Sequence, residues 1–403
     1  MLEDHRAKKY GTMRMPINEI IRLISTEEQM MSQKTVISDC QFVELDQWVR
    51  QNQVQKVMLV CDHAVHFIED LRIYFESIEE RLGIELVRFS DFEPNPLYES
   101  VVKGVELFNQ EKCDSLMAVG GGSAIDVAKC IKLFSNLDPE MLYLSQEFRP
   151  EAIPFAAVPT TAGTGSESTR FAVIYYQGRK QSITSEQCIP DLAVLAPACL
   201  KTLPEYQRKA TMMDAFCHAL ESFWSVNSTE ESRQYSKTAL SAILENMEGY
   251  LSNTESGNEG MLRAAHVAGK AINITQTTAG HAMCYKITSL FGCAHGHAAI
   301  LCDRVLYRWM IRNTGLCIDP RGEGFLKDVL GEIAEAMGCT SLELAAERIE
   351  GLFESLKLGV PEASVEECEE LVRSVNPDRL RNHPVKLTTE TIRGLYYLVL
   401  NVE

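Results

Sequence analysis

The chain predicts an α/β domain built on a mostly parallel sheet, followed by an all-α domain. Three observations carry this expectation. Up to about residue 204, short apolar runs alternate with amphipathic helical stretches, which is the pattern of βαβ units. Beyond that point period-3.6 patterns dominate and alternating β-branched runs nearly vanish. The length, 403 residues, also exceeds the roughly 250–300 residues that a single core usually supports. Two main units are therefore expected, residues 35–204 and 205–403, after an N-terminal extension, residues 1–34, that mixes charge and Met with only a weak helical stripe.

The elements follow in order. A strand-like segment begins at Thr35, and Val57-Met58-Leu59-Val60-Cys61 forms an apolar run closed by Asp62, as in a strand buried on both faces. A helical stretch over 67–82 leads to a strand over 84–89. The turn signal Pro94-Asn95-Pro96 precedes a helix over 98–110. A further apolar run, 115–119, enters Gly120-Gly121-Gly122-Ser123, where an amphipathic helix starts at once.

Composition removes several function classes. Lys and Arg number 39 against 56 Asp and Glu, a formal charge of −17, and such a field repels phosphate backbones and anionic bilayers. Nucleic-acid and membrane-surface partners are disfavoured, while a local basic pocket for a small anion stays open. The 13 Cys carry no CxxC pair, and neither a secretory signal layout nor an apolar stretch of about 18–20 residues is visible. Reduced thiols in a cytoplasm are the expectation.

The glycine turn is a candidate pyrophosphate cradle. Glycine lets a ligand approach the backbone, and a helix start offers free N–H groups and the positive end of its dipole. Asp126 and Lys129 fall in the first turns of that helix. A second glycine-rich segment, Pro159-Thr160-Thr161-Ala162-Gly163-Thr164-Gly165-Ser166-Glu167, adds hydroxyls and N–H donors suited to phosphate and ribose. The spacing is not GxGxxG, and a ligand-free βα connection is the competing reading of the first turn alone. Asp62, at a strand end, could accept from ribose hydroxyls, which favours NADH over NADPH, or could simply cap the next helix.

A metal constellation follows. Asp214 and His218, in ATMMDAFCHALESFW, are four apart and share one helix face. Downstream, His281 lies among small apolar residues, and His295 and His297 flank Gly296. A set of three imidazoles and one carboxylate suits Fe(II) or Zn(II) equally. Each histidine taken singly could instead be a hydrogen-bonded core residue.

The motifs GGGSAIDVAK, PTTAGTGSE, MDAFCHALE and the HAM-to-HG segment, in this order, resemble the iron-containing (group III) alcohol dehydrogenases from about Thr35 to near the C-terminus. The resemblance implies a dehydroquinate synthase-like two-domain fold, an α/β dinucleotide domain joined to an all-α metal domain, with the metal in the cleft between them. It also implies metal ligation by Asp214, His218, His281 and His295. Nucleotide contacts are implied at Asp62, Asn95, Gly121, Gly122, Ser123, Thr160, Thr161, Ser166 and Lys180, and Asp126 and Thr164 join them as candidates from the two glycine segments. NAD(H) is the implied cofactor, with NADP(H) open, and a homodimer is the common assembly of such proteins.

Most members read HAMxH, whereas HAMCY places Tyr285 at the last position. Tyr285 could donate a proton or merely shape the pocket. The segments HAMCYKITSLFGCAHGHA and NPDRLRNHPVKLT look most like the branch that reduces phosphonoacetaldehyde to 2-hydroxyethylphosphonate. An anionic substrate needs cations when it leaves water. Lys286 and Arg170 are the first candidates, and Arg379 and Arg381 are weaker ones. The competing classes are an iron-type dehydrogenase acting on another small aldehyde or alcohol, a dehydroquinate-synthase-like lyase, and a catalytically silent nucleotide-binding protein.

Overall fold

The computed structural model describes residues 33–149 and 152–402, so almost all of the expected N-terminal extension lies outside the described residues. Eight strands are present among them: β1 (Lys34–Ile37), β2 (Lys56–Cys61), β3 (Glu85–Phe89), β4 (Ser115–Gly120), β5 (Phe155–Pro159), β6 (Phe171–Tyr176), β7 (Arg179–Thr184) and β8 (Leu192–Leu195). Six form one sheet in the order β1-β8-β5-β4-β2-β3, with every pairing parallel. The helices α1 (Val43–Gln51), α2 (Glu69–Leu82), α3 (Tyr98–Glu111) and α4 (Gly122–Phe134) connect or cover them.

Alternation along β2 explains why the sheet has two cores. Val57, Leu59 and Cys61 pack into one apolar cluster while Met58 and Val60 pack into the other, as a two-residue side-chain period requires. The central strand β4 is buried at every position. This is why the sequence reads there as a continuous apolar run.

Sequence reading finds β1 to β4 with α2 and α3, but not α1, β5, β8 or the hairpin β6-β7, which is antiparallel. Its turn is Gln177-Gly178, with φ of 50° and 71°, the left-handed pair that a two-residue hairpin turn demands.

The C-terminal half is helical: α5 (Glu205–Trp224), α6 (Glu230–Leu251), α7 (Glu255–Thr275), α8 (Ala279–Phe291), α9 (His295–Arg312), α10 (Gly322–Ala336), α11 (Leu342–Leu356), α12 (Val365–Ser374) and α13 (Thr389–Leu400). Helix α5 is its axis, with every side chain from Met212 to Trp224 buried. Among the described residues no helix is long and apolar enough to cross a membrane.

The loop between β5 and β6 joins the halves. A Cβ on Gly163 would stand 2.6 Å from the Thr211 carbonyl oxygen of α5, and one on Gly165 would stand 2.6 Å from Gly269 Cα of α7. The second glycine-rich segment thus owes two of its glycines to helix contact, a role its sequence did not announce.

Candidate active site in the interdomain cleft

A cavity of about 630 Å³ opens between the C-terminal edge of the sheet and the helical half. Its walls include Asn95, Gly122, Ser123, Asp126, Thr164, Ser166, Lys180, Asp214, His218, His281, Tyr285 and His295. Residues expected to bind nucleotide and residues expected to bind metal therefore share one space.

On the sheet side, Gly121 caps α4 and Gly122 is its first residue. Gly120, at φ +157°, leaves room for the Asp62 carboxylate, whose Oδ2 would lie 3.1 Å from an added Cβ. Thr161 packs against Gly121, and Thr160 N donates to the Gly120 carbonyl at 3.0 Å. Asp62, Gly121, Thr160 and Thr161 thus build the turn just behind the cavity wall. This is the arrangement in which a helix start receives a pyrophosphate.

Asp126 lines the cavity, yet its oxygens accept from Ser166 Oγ at 2.6 Å and Val173 N at 3.0 Å, so it also ties α4 to the loop and hairpin. Lys129 does not reach a ligand. It is fully buried, and its ammonium donates to Ser166 Oγ, Thr169 O, Thr169 Oγ1 and Phe171 O at 2.6–3.2 Å. A buried cation needs such satisfaction, and Lys129 is a pin for the loop entering β6.

On the helical side one oxygen organises the site. Asp214 Oδ1 lies 3.9 Å from His218 Nε2, 3.6 Å from His281 Nε2 and 4.0 Å from His295 Nε2. Asp214 and His218 come from one turn of α5, His281 from the first turn of α8, and His295 opens α9. Gly296 makes the last placement possible, because a Cβ there would stand 2.1 Å from the Ala210 carbonyl oxygen of α5. His297 turns away to pair with Tyr206 Oη at 3.0 Å and the Gly359 carbonyl at 2.9 Å. It anchors α9, and only the first histidine of HGH faces the cluster.

The donor set fits a divalent cation. Asp214 Oδ1 and His281 Nε2 are buried with no hydrogen-bond partner, although such atoms are normally satisfied. Ligand atoms of Asp214, His218 and His281 all lie within 4.8 Å of one another. His295, with a side chain 38% exposed, is the loosest of the four.

Glu221 supplies what sequence reading missed. It follows Asp214 by seven residues on the same face of α5, a spacing that could have flagged it. Its carboxylate accepts from His281 Nδ1, from His281 N at 2.9 Å and from Thr278 Oγ1 at 2.6 Å. This fixes the tautomer that presents Nε2 to the cluster. Burial alone would lower the His281 pKa, but Glu221 and Asp214 outweigh it and push it up to about 10, so a cation at Nε2 would take the place of a proton. Burial pushes His295 down to about 3.

The cation candidates are redistributed. Lys286 is not on the cavity wall: one residue past Tyr285, it projects round the helix and pairs with Glu370 at 2.7 Å. Arg170 pairs with Glu186 at 2.7 Å and is also absent from the wall. Arg379 and Arg381, on the 3₁₀ turn Pro377–Asn382, do line it. The tertiary fold, not proximity in sequence, delivers positive charge to the cleft.

A parallel sheet whose glycine turn faces a buried carboxylate and three imidazoles defines a nucleotide- and metal-dependent two-domain enzyme. NAD(H) and a divalent metal fit the residues present. Comparison with known proteins narrows the class. Residues 32–197 match the family described as iron-containing alcohol dehydrogenase, and residues 209–397 match the C-terminal part of the same family. The chain belongs to the iron-containing alcohol dehydrogenases and is an NAD-linked oxidoreductase.

Among its relatives, the phosphonoacetaldehyde reductase of Streptomyces viridochromogenes is 32% identical over 302 residues, covering 70% of this chain and 75% of that one. The aldehyde-alcohol dehydrogenase of Streptococcus pneumoniae serotype 4 is 32% identical over 280 residues, 65% of this chain but 31% of that longer protein. Of solved structures, the sulfoacetaldehyde reductase of Bifidobacterium kashiwanohense in complex with NAD+ superposes with a TM-score of 0.81 at 23% identity, over 92% of this chain and 98% of that one.

Proposed function

We propose that the protein reduces a small anionic aldehyde with NADH, and that phosphonoacetaldehyde, reduced to 2-hydroxyethylphosphonate, is its substrate. The carrying observation is the convergence of three candidate imidazole ligands on Asp214 Oδ1 in the same cavity as the glycine turn, with Arg379 and Arg381 on the cavity wall. The likeness to the phosphonoacetaldehyde reductase supports the choice of substrate. In this reading residues 35–204 form the nucleotide domain and 205–403 the catalytic domain. The 13 cysteines, all free, accord with a cytoplasmic location, and a homodimer is the proposed assembly.

When bound, a divalent cation supplies Lewis-acid polarisation of a carbonyl and a dihydronicotinamide supplies hydride. The residues of the chain do the rest. Asp214, His218, His281 and His295 hold the cation, and Glu221 keeps the His281 proton on Nδ1. Gly121, Gly122 and Ser123, at the start of α4, receive the pyrophosphate, while Asp62 reaches for ribose hydroxyls. Asn95, Thr164, Ser166 and Lys180 line the path between these two ends. Arg379 attracts the negative head of the substrate and turns its aldehyde toward the ligand cluster, while Arg381 on the same wall is paired with Asp378.

NADH oxidation with phosphonoacetaldehyde, acetaldehyde and butyraldehyde tests the proposal. We expect a kcat/KM for phosphonoacetaldehyde about 100-fold above the others, from charge-assisted hydrogen bonds worth about 1.5–3 kcal/mol. Equal efficiencies would reject an anionic substrate.

A further inference from the structure

Resting on the reading of the cleft as an aldehyde reductase site, we infer that Tyr285 is a platform for two cations, Lys180 and Arg379, which together clamp the tetrahedral oxyanion of a short aldehyde. Lys180 Nζ stands 3.3 Å from the centroid of the Tyr285 ring. Arg379 Cζ is 5.0 Å from the same centroid, and its Nη1 donates to Tyr285 Oη at 3.3 Å. Both cations line the cavity, and Lys180, which the family resemblance implies as a nucleotide contact, is given to the substrate anion by this clamp. Three other candidate cations already have carboxylate partners: Arg381 with Asp378, Lys286 with Glu370 and Arg170 with Glu186. Neither Lys180 nor Arg379 forms an ion pair with a carboxylate among the described residues.

Two like charges on one ring repel each other where water is scarce. The electron-rich face of a tyrosine offsets part of that repulsion, and an anion between the cations removes the remainder. Tyr285 also fixes how far the clamp stands from the chemistry. Its ring stacks on that of His295 at 5.5 Å with an interplanar angle of 12°, so the anion site begins one ring away from the ligand cluster. Phosphonate and sulfonate share the required chemistry, with two charges and one charge respectively.

The test uses the metal-loaded enzyme with NAD(H) and the variants Arg379→Met, Tyr285→Phe and Tyr285→His. The first readout is the ratio of kcat/KM for phosphonoacetaldehyde to that for propionaldehyde, with sulfoacetaldehyde run in parallel. Arg379→Met should lower both anionic ratios by about 50-fold, chiefly through KM, the scale of a lost charge-assisted hydrogen bond. Tyr285→Phe keeps the aromatic face and should stay within about 3-fold of the wild type, whereas Tyr285→His should lose about 10-fold, the scale of a cation–π contact. A larger loss for phosphonoacetaldehyde than for sulfoacetaldehyde identifies the dianion as the preferred partner.

The second readout, calorimetric titration with methylphosphonate, does not depend on turnover. If the wild type and Arg379→Met bind methylphosphonate equally, or if the ratios do not move, the clamp is wrong although aldehyde reduction stands. If methylphosphonate binding depends on Arg379 and the Tyr285 ring while no aldehyde is reduced, the clamp stands and the assignment of function falls.

Discussion

The two ends of the cleft are built in opposite ways. At the ligand end, Asp214, His218 and Glu221 rise from successive turns of one buried helix, and His281 and His295 sit at the first turns of two others. At the anion end, Lys180 comes from a hairpin strand, Tyr285 from the middle of a helix and Arg379 from a 3₁₀ turn near the end of the chain. Half of the ligand set rests on a local helical period, whereas every group of the anion end comes from a different, distant element. On the proposed reading, the metal chemistry sits on deeply packed helices, while the groups that select the anionic substrate sit on a hairpin, a helix and a 3₁₀ turn far apart in the chain.

The largest effect that could break this contrast concerns His281 and its support. His281→Ala should abolish metal retention and turnover while NADH binding, followed by fluorescence, is largely kept. Glu221→Gln should weaken metal affinity by about 10–100-fold, the usual loss when a ligand histidine is deprived of its carboxylate partner. Chelator competition measures it without recourse to activity. Unchanged affinity would mean that Glu221 only fills a buried polar niche.

A smaller effect sharpens the other end. Burial, and after it the charge of Arg379, push the Lys180 ammonium down to about 7, against the attraction of Asp126 and Asp214. Lys180 is therefore charged below that pH and neutral above it. Methanesulfonate keeps a single negative charge across this range, so its affinity should be greatest near pH 6 and fall by about 5-fold by pH 8, the value of about 1 kcal/mol for one screened charge pair. Titration calorimetry at both pH values checks the sign. A rise in affinity with pH would remove Lys180 from the clamp.

What could be read from the sequence follows the same division. Asp214 and His218 are legible because four residues return a helix to the same face, and the glycine turn because an apolar strand runs straight into it. Spacing alone does not separate His295 from His297, although the motif resemblance does: the role of His297 depends on Tyr206 and Gly359, 91 and 62 residues away. Lys129 looked like part of a phosphate cradle from its place in α4, yet the chain folds Thr169 and Phe171 over it. Lys286 stood beside Tyr285 in sequence, but adjacent helix positions point about 100° apart. The cations of the anion end, Lys180 and Arg379, meet only at Tyr285, and no local pattern announces a meeting of residues 105 and 94 positions away.

The central claim is that one divalent ion is shared by Asp214, His218, His281 and His295 across the cleft from the nucleotide turn. Anomalous diffraction from crystals of the metal-loaded enzyme, recorded at the absorption edge of iron and of zinc, tests it most directly. The account predicts one strong peak per chain within about 2.0–2.3 Å of Asp214 Oδ1 and the three imidazole Nε2 atoms. A peak held by other residues, or full occupancy of this site in an Asp214→Ala variant, would contradict it.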